Sequence, residues 1–384
     1  MKNKVIYVIS PEPWGKMRVS KHHYALEMAS RGNQVYFIEP PGLENNGINV
    51  RRSGENDSLY LVSYKPVFRG KRFLPAVIFR AMLRWQIRLL IKEIGKKPDL
   101  VLCFHPFLFE QLNWFKSNKA IYFAADLVYS DKMPPEVFSA DFCLAVSDTI
   151  HKKLSASGKS VYLIQHGLNR HFANAAKELL RSPEKFKKDF SKEPLKVGYT
   201  GNLLMGGMDR QTMRKVIEAN PDVKFIFWGQ YDLAGGNFTA GLNEELTGFV
   251  DFLKAGSNVE LRGAVTPEVL SVQMSEADVF WICWKIGNGK IWDGSNSHKL
   301  MEYLSTGKPV ISHYVSSYKG SDILDMLPDV SNENYVEHFG HVLNRVRVGE
   351  PEESISKRIN FALSNTYEKQ IDRIESWIND EKTA

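Results

Sequence analysis

Short apolar runs alternate with longer amphipathic stretches along most of the chain. Val5–Ile9, Val35–Glu39, Leu59–Tyr64, Leu100–Phe104, Ala120–Ala124, Phe142–Val146 and Val161–Ile164 are each four to six residues long and read as buried strands. Between them the spacing predicts helices over Ser20–Arg31, with Ser20 as N-cap and Gly32 as stop, and over Leu74–Ile94, Pro106–Phe115 and Ser147–Ser157. After a charged, apolar-poor segment ending at Pro194 the rhythm resumes. Lys196–Tyr199, Lys224–Trp228, Val259–Leu261, Val279–Cys283 and Pro309–Ser312 are strands, with helices at Asp209–Ala219, Pro267–Ser275 and Ser297–Ser305. Strands alternating with helices at these lengths make βαβ units and mainly parallel sheets. The chain is therefore expected to be α/β, two doubly wound Rossmann-like domains with a cleft between them. Ligands in such sheets bind beyond the carboxyl ends of the strands.

The chain has 384 residues, 43% hydrophobic and 24% charged, which fits two cores of ordinary globular type. Its three cysteines lie far apart with no Cys-x-x-Cys pair, which argues against a disulfide framework or a structural zinc site and for a reducing, cytoplasmic setting. No apolar run is long enough to span a membrane, and the one at Val5–Ile9 is too short for a signal-peptide core. Charge is uneven. Residues 1–165 carry 24 Lys and Arg against 14 Asp and Glu, and the remainder carries 26 against 30. A basic first half suits an anionic surface or a phosphorylated substrate. No zinc finger or RNA-binding motif accompanies it, so nucleic acid is not an expected partner.

Candidate chemistry concentrates in Asn296-Ser297-His298-Lys299-Leu300-Met301-Glu302-Tyr303, which ends in Thr306-Gly307-Lys308-Pro309-Val310. Asn296 and Ser297 are N-cap residues, so first-turn amides can face phosphate oxygens. Lys299 in that first turn opposes the helix dipole, which an anionic ligand would offset. Glu302, one turn further on the same face, can accept two hydrogen bonds from a ribose diol. Taken alone, the Lys–Glu pair reads more readily as a solvated helix face.

The whole string resembles the donor-binding segment of GT-B glycosyltransferases of the family-4-like type, in which a Lys, a Glu-Tyr or Glu-Ala and a Gly-Lys-Pro-Val recur in this order. The resemblance implies that Glu302 holds the ribose of a nucleotide sugar and that Lys299 contacts its diphosphate. Where many relatives have an earlier Glu, eight positions before the ribose Glu, this chain has Gly294, which leaves inversion or retention open. Tyr162–Asn169 followed by Phe172 is similar to the interdomain hinge of the family. Val197–Asn202 matches its first donor-domain strand and glycine turn, and Val259–Val265 its base-binding strand and loop. The implied donor-binding set is Gly201, Asn202, Val265, Ser297, His298, Lys299 and Glu302. The implied division is an acceptor-side domain over 1–166, a donor domain over 167–362, and a C-terminal helix over 363–384 crossing back, with Ile371, Ile374 and Trp377 as its apolar face.

Several stretches of the first half are similar to a narrower group, the teichuronic acid glycosyltransferases and the xanthan glucuronosyltransferase. These are Ser10–Trp14, Lys21–Ala25 with Ser30–Gly32, Phe37–Pro41, Ile121–Asp126, Ala140-Asp141 and Val146-Ser147. In these relatives an Asp at the end of this strand is the general base, which falls on Asp126. A sugar hydroxyl must lose its proton as it attacks the anomeric carbon, and a carboxylate can take it. Asp126 also reads as a turn-capping residue. His105 is a rival base, and His22 and His23 are candidate acceptor contacts.

Arg80, Arg84, Arg88 and Lys92 recur every four residues on the Leu74–Ile94 helix, and residues 65–97 hold ten basic residues and one acidic one. Such a stripe suits an anionic membrane surface, or else is a solvated face. The chain has no Asp-x-Asp, so neither metal nor other cofactor is expected beyond the nucleotide sugar as co-substrate. The expected activity is transfer of a sugar to a glycan or polyprenyl-linked acceptor in bacterial surface polysaccharide synthesis, peripherally at the inner membrane face. A nucleotide-sugar 2-epimerase and a non-catalytic glycan- or nucleotide-binding protein are the alternatives. A dehydrogenase is disfavoured because Ser10–Ser20 lacks a Gly-x-Gly-x-x-Gly turn.

Overall fold

Most of the predicted apolar runs become largely buried strands in a computed structural model of the chain, which describes residues 1–15, 18–68, 74–126, 132–182, 193–232, 244–286 and 296–380. Gly294 and Leu127 lie outside the described residues. The chain forms two units, Met1–Gly167 with Tyr367–Ala384, and Leu168–Thr366.

The first unit runs β1 (Val5–Ile9), α1 (Ser20–Ser30), β2 (Gln34–Ile38), β3 (Ile48–Arg52), β4 (Leu59–Tyr64), α2 (Ala76–Ile94), β5 (Leu100–Cys103), β6 (Lys119–Ala124), α3 (Glu136–Ser139), β7 (Phe142–Ala145), α4 (Asp148–Ser155) and β8 (Val161–Leu163). Its eight strands are ordered β3-β4-β2-β1-β5-β6-β7-β8. Every pair is parallel except β3 with β4. The polar edge strand β3, Ile-Asn-Val-Arg-Arg, lacked the apolar run that marks the others.

Two local expectations are corrected here. Ser20 is the first residue of α1 and not its cap: Val19 holds that position, and its N–H is accepted by His22 Nδ1 at 3.1 Å. Pro106–Phe115 is not an α-helix. Fully buried Glu136 accepts the backbone N–H groups of Phe107, Phe109 and Glu110 at 3.0, 3.0 and 3.2 Å. Those donors are thereby lost to a helix, and Phe107 and Glu110 take positive φ of 62° and 60°. Only the 3₁₀ turn Leu112–Phe115 remains of the expected element.

The second unit runs α5 (Arg170–Arg181), β9 (Lys196–Thr200), α6 (Arg210–Ala219), β10 (Lys224–Trp228), α7 (Glu244–Ala255), β11 (Val259–Gly263), α8 (Pro267–Gln273), β12 (Val279–Ile282), α9 (His298–Ser305), β13 (Val310–Ser312), β14 (Asp325–Met326), α10 (Tyr335–Val348) and α11 (Glu352–Leu363). Its sheet, β11-β10-β9-β12-β13-β14, is wholly parallel. The chain winds one way from β9 and the other way from β12, so the switch point lies between these two strands.

The final helix α12 (Tyr367–Asp380) packs on the first unit. Tyr162 stacks on Trp377 at 4.7 Å, and Arg31 binds Asp372 at 2.8 Å. Gly167 is required beside α12, because a Cβ there would stand 2.3 Å from the Tyr367 ring. The chain leaves and re-enters the second unit along paired segments: Leu168 N donates to Asn365 O at 2.8 Å, and Leu168 bridges Thr366.

Candidate functional site

Three parallel strands of the second unit end in glycine. Gly201 after β9 has φ +117°, Gly229 after β10 has φ +154°, and Gly263 closes β11 at φ +72°. Gly201 N donates to Trp228 O at 2.7 Å, and Gly229 N donates to Gly263 O at 2.8 Å. A Cβ on Gly229 would fall 1.8 Å from Gly201 O, so only glycine fits. The carboxyl edge of the sheet is thus a ledge of bare backbone at the switch point, where a ligand can approach closely.

Lys299, on the first turn of α9, fills the space beneath that ledge. Its Nζ lies where a Gly201 Cβ would stand, 2.3 Å from the ideal position. The side chain is buried, sits over the Tyr199 ring at 4.9 Å and donates to Tyr199 Oη at 3.2 Å. The Tyr199 hydroxyl then donates to Met208 Sδ at 3.8 Å. Tyr303, also on α9, accepts Thr200 N–H at 2.8 Å and stacks on Phe280 at 4.6 Å, which bolts the helix to the end of β9. Glu302 follows one turn after Lys299 and is half-buried.

Burial pulls the Lys299 amine down to about 8, with Glu302 opposing the shift. Burial likewise lifts the Glu302 carboxyl to about 7 despite Lys299. The buried Glu302 carboxyl costs stability increasingly as pH rises from its ordinary range to about 7, a cost relieved as pH falls. Protonated Lys299 costs stability below about pH 8, relieved as pH rises. A diphosphate would stabilise the charged amine, and a diol the charged carboxylate. If a nucleoside diphosphate is the ligand of this pair, its affinity is expected to peak between about pH 7 and 8 and to fall on both sides. Calorimetry between about pH 6 and 9 checks this, and a flat profile would remove the pair from the binding event.

The other donor-side candidates are placed as follows. Ser297 occupies the N-cap position of α9, yet its side chain caps nothing. His298 is the first helical residue and half-exposed. Asn202 Oδ1 accepts Leu204 N–H at 2.8 Å, so its carbonyl shapes the loop after Gly201. Val265 is half-buried against the core. Reading the sequence missed Tyr199, Tyr303 and Gly229. It also missed His313, buried at the end of β13 with Nδ1 3.3 Å from Ile282 O.

In the first unit the candidates fall at the carboxyl ends of β1, β5 and β6. His22, a candidate acceptor contact, is buried within the first unit. It is 1% exposed and stacks on Phe37 at 5.0 Å. Nδ1 takes the Val19 N–H and Nε2 donates to Pro13 O at 3.1 Å, so both nitrogens are spent on the β1–α1 loop. Burial pushes its pKa down to about 4. His23 stacks on Tyr367 at 4.9 Å. His105 Nδ1 lies 2.7 Å from Pro106 O and donates to it, which leaves Nε2 as the ring's acceptor; burial lowers its pKa. Asp126 is exposed just beyond β6. Of the basic stripe, Arg80 pairs with Glu110 at 3.0 Å and Arg84 lies over Trp114 at 4.8 Å, while Arg88 and Lys92 are exposed.

Among the described residues no group of three His, Cys, Asp or Glu is arranged to hold a metal. No helix among them is long and apolar enough to cross a membrane.

No protein-family model matches the chain, and no curated protein matches it. Solved structures do. Sucrose-phosphate synthase of Thermosynechococcus elongatus is 14% identical with a TM-score of 0.64, over 98% of this chain and 99% of that one. The UDP-forming α,α-trehalose-phosphate synthase of Burkholderia xenovorans, in complex with glucose-6-phosphate, is 12% identical with a TM-score of 0.65, over 99% and 100%. HepE of Anabaena in complex with UDP is 10% identical with a TM-score of 0.64, over 98% and 100%. The two parallel-sheet, Rossmann-like units thus have the fold of GT-B glycosyltransferases along nearly the whole chain. The narrower likeness to teichuronic and xanthan enzymes has no counterpart among these structures.

Proposed function

We propose that the protein is a glycosyltransferase that moves a sugar from a nucleoside diphosphate to a hydroxyl of a glycan acceptor. The observation that carries this reading is the Lys299 amine buried beneath the bare Gly201 turn, with Glu302 one turn further along α9. A diphosphate on the glycine ledge meets the buried positive charge of Lys299. The ribose diol then faces Glu302. As the bond from the anomeric carbon to the diphosphate oxygen breaks, Lys299 stabilises the charge that develops on the leaving group. Asp126 accepts the acceptor's hydroxyl proton as the new glycosidic bond forms. Lys299 and the backbone supply the positive field without a metal ion or further cofactor. Two of the structurally similar enzymes carry UDP or a UDP-forming activity in their names, which makes UDP-sugars the first donors to try.

A thermal-shift panel of nucleotides and nucleotide sugars tests the proposal. Ligand at about 100 times its dissociation constant adds about 2.7 kcal/mol to the folded state. A clear rise in melting temperature with at least one nucleoside diphosphate is the expected result, and no rise with any of them would overturn it.

The acceptor is proposed to be lipid-linked, a polyprenyl-borne intermediate of a bacterial surface polysaccharide used at the inner face of the cell membrane. The support is the basic balance of residues 1–165 and the stripe on α2. Each basic residue near an anionic surface contributes about 1 kcal/mol, so the stripe can hold the enzyme reversibly. The protein is expected to float with anionic liposomes and not with neutral ones, and to release as salt shortens the screening length. Replacing Arg80, Arg84, Arg88 and Lys92 together by Gln should abolish flotation. Equal behaviour of that variant, or of both lipid types, would reduce the stripe to a solvated helix face.

A further inference from the structure

A pocket of about 140 Å³ lies within the second unit, between α5, α8 with the turn after it, and the C-terminal end of α9. The sheet is parallel, and α9 runs back from the carboxyl end of β12 to the amino end of β13. This helix has eight residues and spans about 12 Å, so the pocket and the turn that carries Lys299 lie at its opposite ends. The volume is about ten times the roughly 10–15 Å³ that one water needs, and it is below the roughly 300–1,000 Å³ of pockets for drug-sized ligands. One small ring matches that size.

The walls differ in character. Phe172, Ala175 and Leu179 recur at helical spacing on α5 and make one apolar face. The other walls carry hydroxyls. Ser271 Oγ donates to Glu268 O at 2.9 Å, and Ser275 Oγ donates to Val272 O at 2.7 Å. Ser305 Oγ donates to Glu302 O and Thr306 Oγ1 donates to Tyr303 O, both at 2.6 Å. Each hydroxyl has committed its one proton to a carbonyl one turn back, so what it has left to offer is lone pairs. Thr306 gives one of these to the Lys308 N–H at 3.2 Å, and Lys308 lines the same pocket.

This set of walls is selective. Four acceptors ask for a ligand that donates several hydrogen bonds. A phosphate or carboxylate only accepts, and it would have to pull each hydroxyl off its carbonyl. The C-terminal turns of α8 and α9 add negative potential, which also disfavours an anion. An ammonium ligand would meet Lys308 as a like charge. A linear polyol donates, but it has no flat apolar side to lay on α5. A neutral sugar ring meets every condition. Its hydroxyls donate to the serine and threonine oxygens, one of its oxygens accepts from Lys308, and its C–H face lies on Phe172 and Leu179.

We propose that this pocket binds one neutral pyranose unit, a free sugar or the end unit of a glycan, separately from the proposed nucleotide-sugar site. The inference stands on the pocket alone and does not depend on the donor reading. It places a sugar against Ser305 and Thr306, the turn that ends the helix carrying Lys299 and Glu302.

The probes are D-glucose, D-galactose and D-mannose and their methyl pyranosides, titrated against the full-length protein by saturation-transfer NMR. Glycerol is the ring-free control, and inorganic phosphate is added as a competitor. Ala175→Phe fills the pocket. The paired Ser271→Ala and Ser275→Ala removes two acceptors whose bonds lie within their own helical turns, so the fold loses little. Saturable binding of at least one sugar is expected, at least tenfold weaker in both variants, with no signal from glycerol and no displacement by phosphate. Should Ala175→Phe not fold, the serine variant decides. No binding of any of the sugars, unaltered affinity in a folded variant, or displacement by inorganic phosphate would overturn the proposal. Free sugars bound without their glycosides uphold it as a site for a small metabolite, and glycosides bound equally well uphold it as a site for a glycan end. The nucleotide thermal shift is read on the same samples. A nucleotide shift without sugar binding removes the pocket proposal alone. Sugar binding without a nucleotide shift upholds the pocket and removes the donor reading.

Discussion

Asp126→Asn is expected to lower turnover about 100-fold or more while leaving nucleotide-sugar affinity close to that of the unaltered protein. Asparagine keeps the shape of the side chain but cannot accept the proton that the attacking hydroxyl must shed. Asp126 is exposed beyond the end of β6, so the fold loses no buried contact with the change. The proposed donor site lies in the other unit, which is why affinity is expected to be spared. His105 is the competitor, because its Nδ1–H is committed to Pro106 O and its Nε2 is available to accept a proton. Steady-state kinetics on Asp126→Asn and His105→Ala separates the two. Turnover that survives in the first and collapses in the second makes His105 the base.

Removing Glu302 is expected to weaken nucleotide-sugar binding by about 1–3 kcal/mol, or about 5- to 150-fold. The loss has two sources. Alanine leaves the ribose hydroxyls without their charged acceptor. It also strips Lys299 of the carboxylate that opposes the downward shift of its amine, so less of the lysine is charged when a diphosphate arrives. Glu302→Gln divides these contributions, since it keeps a hydrogen-bond acceptor but no charge. Its affinity should fall between those of the unaltered protein and Glu302→Ala. The decline in affinity below about pH 7, which belongs to the carboxylate, should vanish in both variants. Unchanged donor affinity in calorimetry would sink the ribose assignment.

What the sequence made legible was whatever rests on local pattern. Lys224–Trp228 and Leu59–Tyr64 are apolar runs between turn residues, and they are strands with those bounds. Lys299 and Glu302 were singled out because a charge of the wrong sign in a first helical turn asks for an anion. The misses depend on partners far away along the chain. Pro106–Phe115 has helical spacing, and a carboxylate at Glu136 overrides it by claiming three of its donors. His22 looked available in a first turn, whereas Pro13, Val19 and Phe37 enclose it. Tyr199 and Tyr303 read as ordinary core aromatics, and nothing local says that one hydroxyl meets Lys299 and the other the end of β9. Gly229 carried a weak signal, a glycine directly after an apolar strand. Its need to be glycine appears only once Gly201 is packed against it.

The paired passage of the chain at Leu168 and Thr366 has a further consequence. Topologically, the second unit is a guest: one unbroken stretch inserted into a host whose own ends, Gly167 and Tyr367, already touch. Because guest and host are joined covalently at only two peptide junctions, after Gly167 and before Tyr367, the guest can be exchanged as a cassette. A chimera carrying a foreign nucleotide-binding half between Gly167 and Tyr367 would change which activated sugar is used while the acceptor stayed the same. On the proposed function, donor specificity can therefore diversify by replacement of a whole module, without reworking the other unit.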